Sequence, residues 1–169
     1  MAGAARFVEA FKQYRSKEKL VLFSGDLFFP SNLSTFYAGA QIIEPFNRLN
    51  VDVSCLGNHE LDMGIPKAQE LIAQTNCPWI LSNFIEKDKE MKPIAGLEPT
   101  HIVEHSGLKI GFAGLAEEAW KDSLSLEVDL DKLEYIDYHE SLKKYSKILK
   151  DEHKCDLVVA LNHMKVTED

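Results

Sequence analysis

The chain of 169 residues predicts an α/β fold, and three observations carry that prediction. Amphipathic helical runs alternate with short, wholly apolar runs, and each apolar run stops at glycine or a small polar residue. Two strand-like runs are also joined by Ser106-Gly107, a hairpin signal that keeps the sheet from being purely parallel. With 45 % hydrophobic residues, the chain has enough apolar surface for a real core.

Residues 4–15 place Ala4, Phe7, Val8, Phe11 and Tyr14 at helical spacing, predicting a first helix packed on a sheet. Leu20-Val21-Leu22-Phe23 reads as a strand covered on both faces and ended by Ser24-Gly25. A second helical pattern runs from about Thr35 to Leu49 through Phe36, Ala40, Ile43 and Phe46, with Pro45 expected to kink or end it. Val51 to Leu56 is a buried strand stopped by Gly57. Ile65, Ala68, Leu71 and Ile72 form a helix with Pro66 in its first turn. Trp79-Ile80-Leu81 is a strand reaching Ser82-Asn83. Thr100 to His105 and Leu108 to Leu115 make the hairpin. A last helix carries Tyr138, Leu142, Tyr145, Ile148 and Leu149, and the strand Leu157 to Leu161 delivers Asn162-His163.

The net charge of −8 argues against a nucleic-acid polymer as partner, because that binding needs basic side chains to displace counterions. A small phosphorylated molecule stays open, since bound metal ions supply positive charge locally. Most of the acid excess lies between Glu117 and Asp137, where eight acids face only Lys121 and Lys132, and it reads as a solvated loop. The odd cysteine set, Cys55, Cys77 and Cys155, has no C-x-x-C spacing and suggests a reducing compartment. No apolar stretch approaches membrane-spanning length, and Met1 is not followed by a signal-like segment, so the expectation is a soluble cytoplasmic protein without membrane contact.

In open α/β sheets, ligands gather beyond the carboxyl ends of strands. Those ends carry Asp26, then Asn58 and His59, then Asn83, then His163. Any one of these is more often a cap, a turn former or a surface residue; their repetition at successive strand ends shifts the balance. Divalent metals used in hydrolysis take carboxylate, amide and imidazole donors, and one carboxylate can bridge two ions about 3.5–4 Å apart. Asp26 suits such a bridge, and Asn58 and His163 suit terminal ligands. Gly25 and Gly57 fit strands that turn sharply near a ligand. His59, adjacent to Asn58, faces the substrate instead, with Asp62 three residues on to accept its imidazole hydrogen bond and prepare it as a proton donor. Glu60 reads as a supporting or capping residue.

Gly25-Asp26, Gly57-Asn58-His59-Glu60-Leu61-Asp62, Ser82-Asn83 and Asn162-His163-Met164 together resemble the middle motifs of the calcineurin-like metallophosphoesterases, in particular their 5′-nucleotidase-like branch. Ala2-Gly3-Ala4-Ala5-Arg6 is similar to the segment that opens the first helix in that branch. The resemblance implies a four-layer β-sandwich flanked by helices, of which this chain is the first half to two-thirds. It implies Asp26 as bridging ligand, Asn58 and His163 as ligands of the second metal, and His59 as proton donor and transition-state stabiliser with Asp62 as partner. Asn83 either shapes the substrate side or caps a turn.

The family's D-x-H strand, which precedes the first helix, and its G-H-x-H motif, which lies beyond the histidine strand, are not found at those places here, and His101, His105, His139 and His153 read as structural or surface residues rather than replacements. Residues 1–169 are therefore expected to be a partial domain, truncated at both ends, without a second domain. The complete domain is expected to use two divalent ions (manganese, zinc, iron or cobalt), of which this chain would hold at most one, weakly. The resulting expectation is a parent phosphoester hydrolase acting on a nucleotide or small phosphorylated metabolite, with the isolated chain nearly inactive. The alternative is a non-catalytic relative acting as a structural or binding subunit, with a protein partner covering its exposed sheet edges.

Overall fold

A computed structural model describes residues 3–15, 18–87 and 92–167. Its first sheet is parallel and follows chain order: β1 (Leu22–Phe23), β2 (Val53–Cys55) and β3 (Trp79–Ile80). β2 is central and wholly buried, as expected for a strand covered on both faces. β1 differs from the expectation: it lies at the sheet edge and leaves Leu22 exposed.

A second sheet is built on the predicted hairpin. β6 (Thr100–His105) pairs antiparallel with β7 (Leu108–Ala116), and β9 (Leu157–His163) joins β7 in parallel, placing His163 opposite Ala116. A small antiparallel sheet of β5 (Lys92–Pro93), β4 (Phe84–Glu86) and β8 (Leu133–Tyr135) lies beyond the end of β3. These strands are too short to leave a period in the sequence.

Helices cover the sheets on both sides. α4 (Gly64–Ile72) buries Ala68 and Leu71 in one core with Val53, Cys55 and Ile80 of the first sheet and Phe112, Ala116 and Leu161 of the second. α6 (Tyr138–Lys147) starts at Asp137, whose carboxylate accepts the His139 and Glu140 amides as an N-cap, and it packs against β7. Behind β7, Leu149 fills the space that Gly111 leaves open. Helices, sheet, sheet and helix make up the four-layer arrangement.

The helix predicted over 35–49 is broken. It divides into α2 (Ser34–Tyr37) and α3 (Ile43–Asn47), because Ala38 and Gly39 both take left-handed backbone at φ 48° and 87°. Gly39 also lies against Phe28, Phe29 and Leu71, where a side chain would collide. Phe36 consequently faces solvent, and Pro45 neither kinks nor ends a helix: it lies in the first turn of α3, where no backbone donor is needed. α1 (Ala4–Lys12) contacts α3 through its buried Val8, while Phe7 and Tyr14 are exposed.

The acidic window is not a plain solvated loop. It forms α5 (Trp120–Ser123) and β8, and it sends Trp120, Val128 and Leu133 into the interior while its acids stay outside. Cys55, Cys77 and Cys155 are all free, and burial pushes the Cys55 thiol up to about 12. Among the described residues no helix is long and apolar enough to cross a membrane.

Candidate active site

The site is built where β1 and β2 end. Gly25 and Asp26 both turn left-handed, at φ 95° and 62°, which reverses the chain within two residues. Asp26 carries the cost of that conformation for a residue with a Cβ, about 1–2 kcal/mol. Gly57 is needed for a different reason. Its Cβ would strike the Asp26 amide nitrogen at 2.5 Å and the Glu60 carboxylate at 2.8 Å, so crowding rather than turn geometry excludes a side chain there.

Glu60 lies under both turns, 1 % exposed. Its Oε2 accepts the Asp26 and Gly57 amides at 2.8 and 2.7 Å, and its Oε1 accepts those of Leu27 and Phe28 at 2.5 and 3.2 Å. Burial raises its carboxyl above the ordinary range, and the backbone donors oppose that shift without cancelling it.

Three predicted residues converge above this support. His163, at the end of β9, donates from Nδ1 to the Ser24 carbonyl at 2.5 Å, an oxygen that can only accept. Its Nε2 therefore faces Asn58 Oδ1 at 3.1 Å and Asp26 Oδ2 at 3.3 Å. Burial works against both charges. For Asp26, the His163 imidazole and the His59 amide outweigh it and hold the carboxyl below its usual range. For His163, Asp26 and the Ser24 carbonyl outweigh it and raise the imidazole.

His59 and Asp62 form a pair beside this cluster on the 3-10 turn His59–Leu61. The His59 amide donates to Asp26 Oδ1 at 3.1 Å, and its Nδ1 lies 3.0 Å from Asp62 Oδ2, which leaves Nε2 for another partner. Asn83 does not join the cluster. It is fully buried: its amide nitrogen donates to the Ala116 and Ile136 carbonyls at 2.8 and 3.2 Å, and its oxygen accepts the Ala116 amide at 2.9 Å. The sequence leaves it between shaping the substrate side and capping a turn. It fastens β4 to the end of β7, with both donors committed and no exposed atom for a ligand.

The whole chain, residues 1–169, matches the sequence profile of the calcineurin-like phosphoesterases. The chain belongs to the calcineurin-like phosphoesterase family. Within that family its similarity lies with the 5′-nucleotidase-like branch. An apyrase from Tabanus yao is 28 % identical over all of this chain, and a snake venom 5′-nucleotidase from Crotalus adamanteus is 27 % identical over 99 % of it. The chain spans only 30 % and 28 % of those proteins. A 5′-nucleotidase precursor from Thermus thermophilus shares the fold at a TM-score of 0.84, with 24 % identity over 99 % of this chain and 32 % of that one. The NAD nucleotidase of Haemophilus influenzae does so at 0.80, with 23 % identity over 96 % of this chain and 28 % of that one.

Calcineurin-like phosphoesterases imply divalent metal ions, and the donors in this member fit one. Atoms bound to one ion at about 2.1 Å are separated by about 3.0 Å in an octahedron and about 3.4 Å in a tetrahedron. The 3.1 and 3.3 Å separations around His163 Nε2 fall between those limits. With Nδ1 donating to Ser24, a neutral imidazole turns a lone pair toward two oxygen acceptors, an arrangement that requires a proton or a cation between them. Among the described residues no three His, Cys, Asp or Glu side chains gather as a metal-holding group; this cluster has two, and an amide is its third donor.

Trp120 of this family member was missed in the sequence because it lies among acids. Its indole N–H donates to the His163 carbonyl at 3.2 Å, and its ring meets the imidazole edge-on at 5.5 Å. It also stacks on Phe84, which ties the small sheet to the site. A tryptophan inside a charged stretch was the available signal.

Proposed function

We propose that this chain carries the central part of a metal-dependent phosphoester hydrolase site, in a parent protein acting on a nucleotide or a small phosphorylated metabolite. The observation that carries the reading is the meeting of Asp26, Asn58 and His163 from three strand ends, with the His59–Asp62 pair alongside. In this reading Asp26 would be the ligand shared by two divalent ions, of manganese, zinc, iron or cobalt, Asn58 and His163 would hold one of them, and the ions, when bound, would supply Lewis acidity toward a phosphoryl oxygen.

The other steps belong to the chain's own side chains. Asp62 accepts the Nδ1 proton of His59 and sets its ring, so that Nε2 can donate a proton to the leaving oxygen. Ser24 and Trp120 hold His163 by its Nδ1 and its carbonyl. Residues 1–169 alone hold at most one ion, weakly, and are nearly inactive. The same reading has a protein surface covering the open edges of β1 and β9, and its odd, free cysteine set suits a cytoplasmic setting.

The test uses the parent-length protein with manganese and two phosphate esters, one with a good and one with a poor leaving group. His59→Asn is expected to lower turnover of the poor leaving group by about 10²–10⁴ and that of the good one by much less. Full turnover of the poor leaving group by the variant would remove His59 from this role.

A further inference from the structure

We infer that Glu60 is the positioning residue of this site: its buried carboxylate clamps the two strand-end turns so that Asp26 presents its own carboxylate to Asn58 and His163. The inference rests on the metal-site reading above. The four amides it accepts belong to two separate turns, three consecutive ones from Asp26 to Phe28 and one from Gly57. None of the four lies in a helix or strand, and two of the bonds are buried and two half-buried, so Glu60 is the partner these backbone donors need in place of a ladder or helix.

The geometry ties this clamp to the donors. Holding the Asp26 amide keeps that residue left-handed at φ 62°, a conformation that persists only where its surroundings enforce it. From there Oδ1 reaches the His59 amide and Oδ2 faces His163. Holding the Gly57 amide fixes the point from which Asn58 and His59 follow. Glu60 has no open space beside it and does not touch the reacting side. An ionised carboxylate is also the side chain the task calls for. A glutamine would turn an NH₂ toward two N–H donors, and an aspartate is one methylene too short to span both turns.

The test uses the 169-residue chain, labelled with ¹⁵N and free of metal for spectroscopy, and calorimetric titration with Mn²⁺. In the wild type the amides of Asp26, Leu27 and Gly57 should exchange slowly although they belong to no helix or sheet. Glu60→Gln should lose that protection, shift the His59 amide and weaken Mn²⁺ binding by about tenfold or more. Leu149→Ala, a buried change behind β7, should lower the melting temperature and leave the His59 amide and the Mn²⁺ affinity alone. Wild-type Mn²⁺ affinity together with an unmoved His59 amide in Glu60→Gln would overturn the inference.

If Glu60→Gln does not fold, Glu60→Asp decides. A shifted His59 amide supports the clamp and an unchanged one rejects it. If neither variant folds, the wild-type amides decide, because exchange at unprotected rates rejects the clamp and slow exchange supports it. A wild type that binds no Mn²⁺ removes the metal-site reading, and the amide measurements still judge Glu60.

Discussion

Gly25 and Gly57 face each other across the two strand ends so closely that a Cβ on Gly25 would lie 2.5 Å from the Gly57 nitrogen. The contact joins the turn carrying Asp26 to the turn carrying Asn58 and His59. Two loops far apart in sequence thereby become one platform, and nothing larger than hydrogen fits between them.

Gly57→Ala is therefore expected to destabilise the chain by about 2 kcal/mol or more, since the atoms it meets are the Asp26 backbone nitrogen and the Asp26 and Glu60 carboxylates, both held by hydrogen bonds. Gly107→Ala is the comparison. Gly107 has a left-handed φ of 80° but open space around it, so it should lose only the backbone term, about 1–2 kcal/mol. Denaturant midpoints measure both. A Gly57→Ala variant as stable as Gly107→Ala would show that the turns have room to separate.

Asn83→Ala is expected to cost roughly 3 kcal/mol, because it strands the Ala116 amide and the carbonyls of Ala116 and Ile136 in the interior. Metal affinity should stay unchanged, since Asn83 touches none of the cluster. A variant of full stability that binds a phosphate ester less well would return Asn83 to the substrate side.

Acid should weaken the anchoring of the first helix. Burial alone would raise the Asp52 carboxyl, but the Arg15 guanidinium at 2.8 Å and the Val21 amide at 2.7 Å outweigh it and hold the group below its ordinary value of 3.8. A carboxyl lowered on folding contributes stability that is complete above the unfolded value and is lost as pH falls through the folded one. Urea midpoints of the wild type should thus decline as pH drops below 3.8, and Asp52→Asn should decline less over the same interval. Equal slopes in the two proteins would mean that Asp52 is not part of the acid response.

The strand ends were legible because an apolar run stopped by glycine or a small polar residue and then a donor is a local pattern, and Asp26, Asn58 and His163 each end one. Asn83 has the same local pattern, yet its side chain turns inward to Ala116. Sequence shows that a polar residue ends a strand; it does not show which layer that residue faces. Trp120, Val128 and Leu133 were hidden for a related reason, since exposed acids between them mask the few side chains that reach the core. The break between α2 and α3 was hidden because Ala38, ordinarily a helix former, is left-handed next to Gly39. Glu60 was legible only as a supporting residue, because its four partners are backbone amides, which every residue but proline possesses.

The central claim, that Asp26, Asn58 and His163 form a cation site, is tested most directly by titrating the 169-residue chain with Mn²⁺ in a calorimeter. The predicted result is weak binding of one ion, abolished in Asn58→Ala and His163→Ala and retained in Asn83→Ala. A wild type that produces no binding heat, or binding that survives the loss of Asn58 and His163, would contradict it.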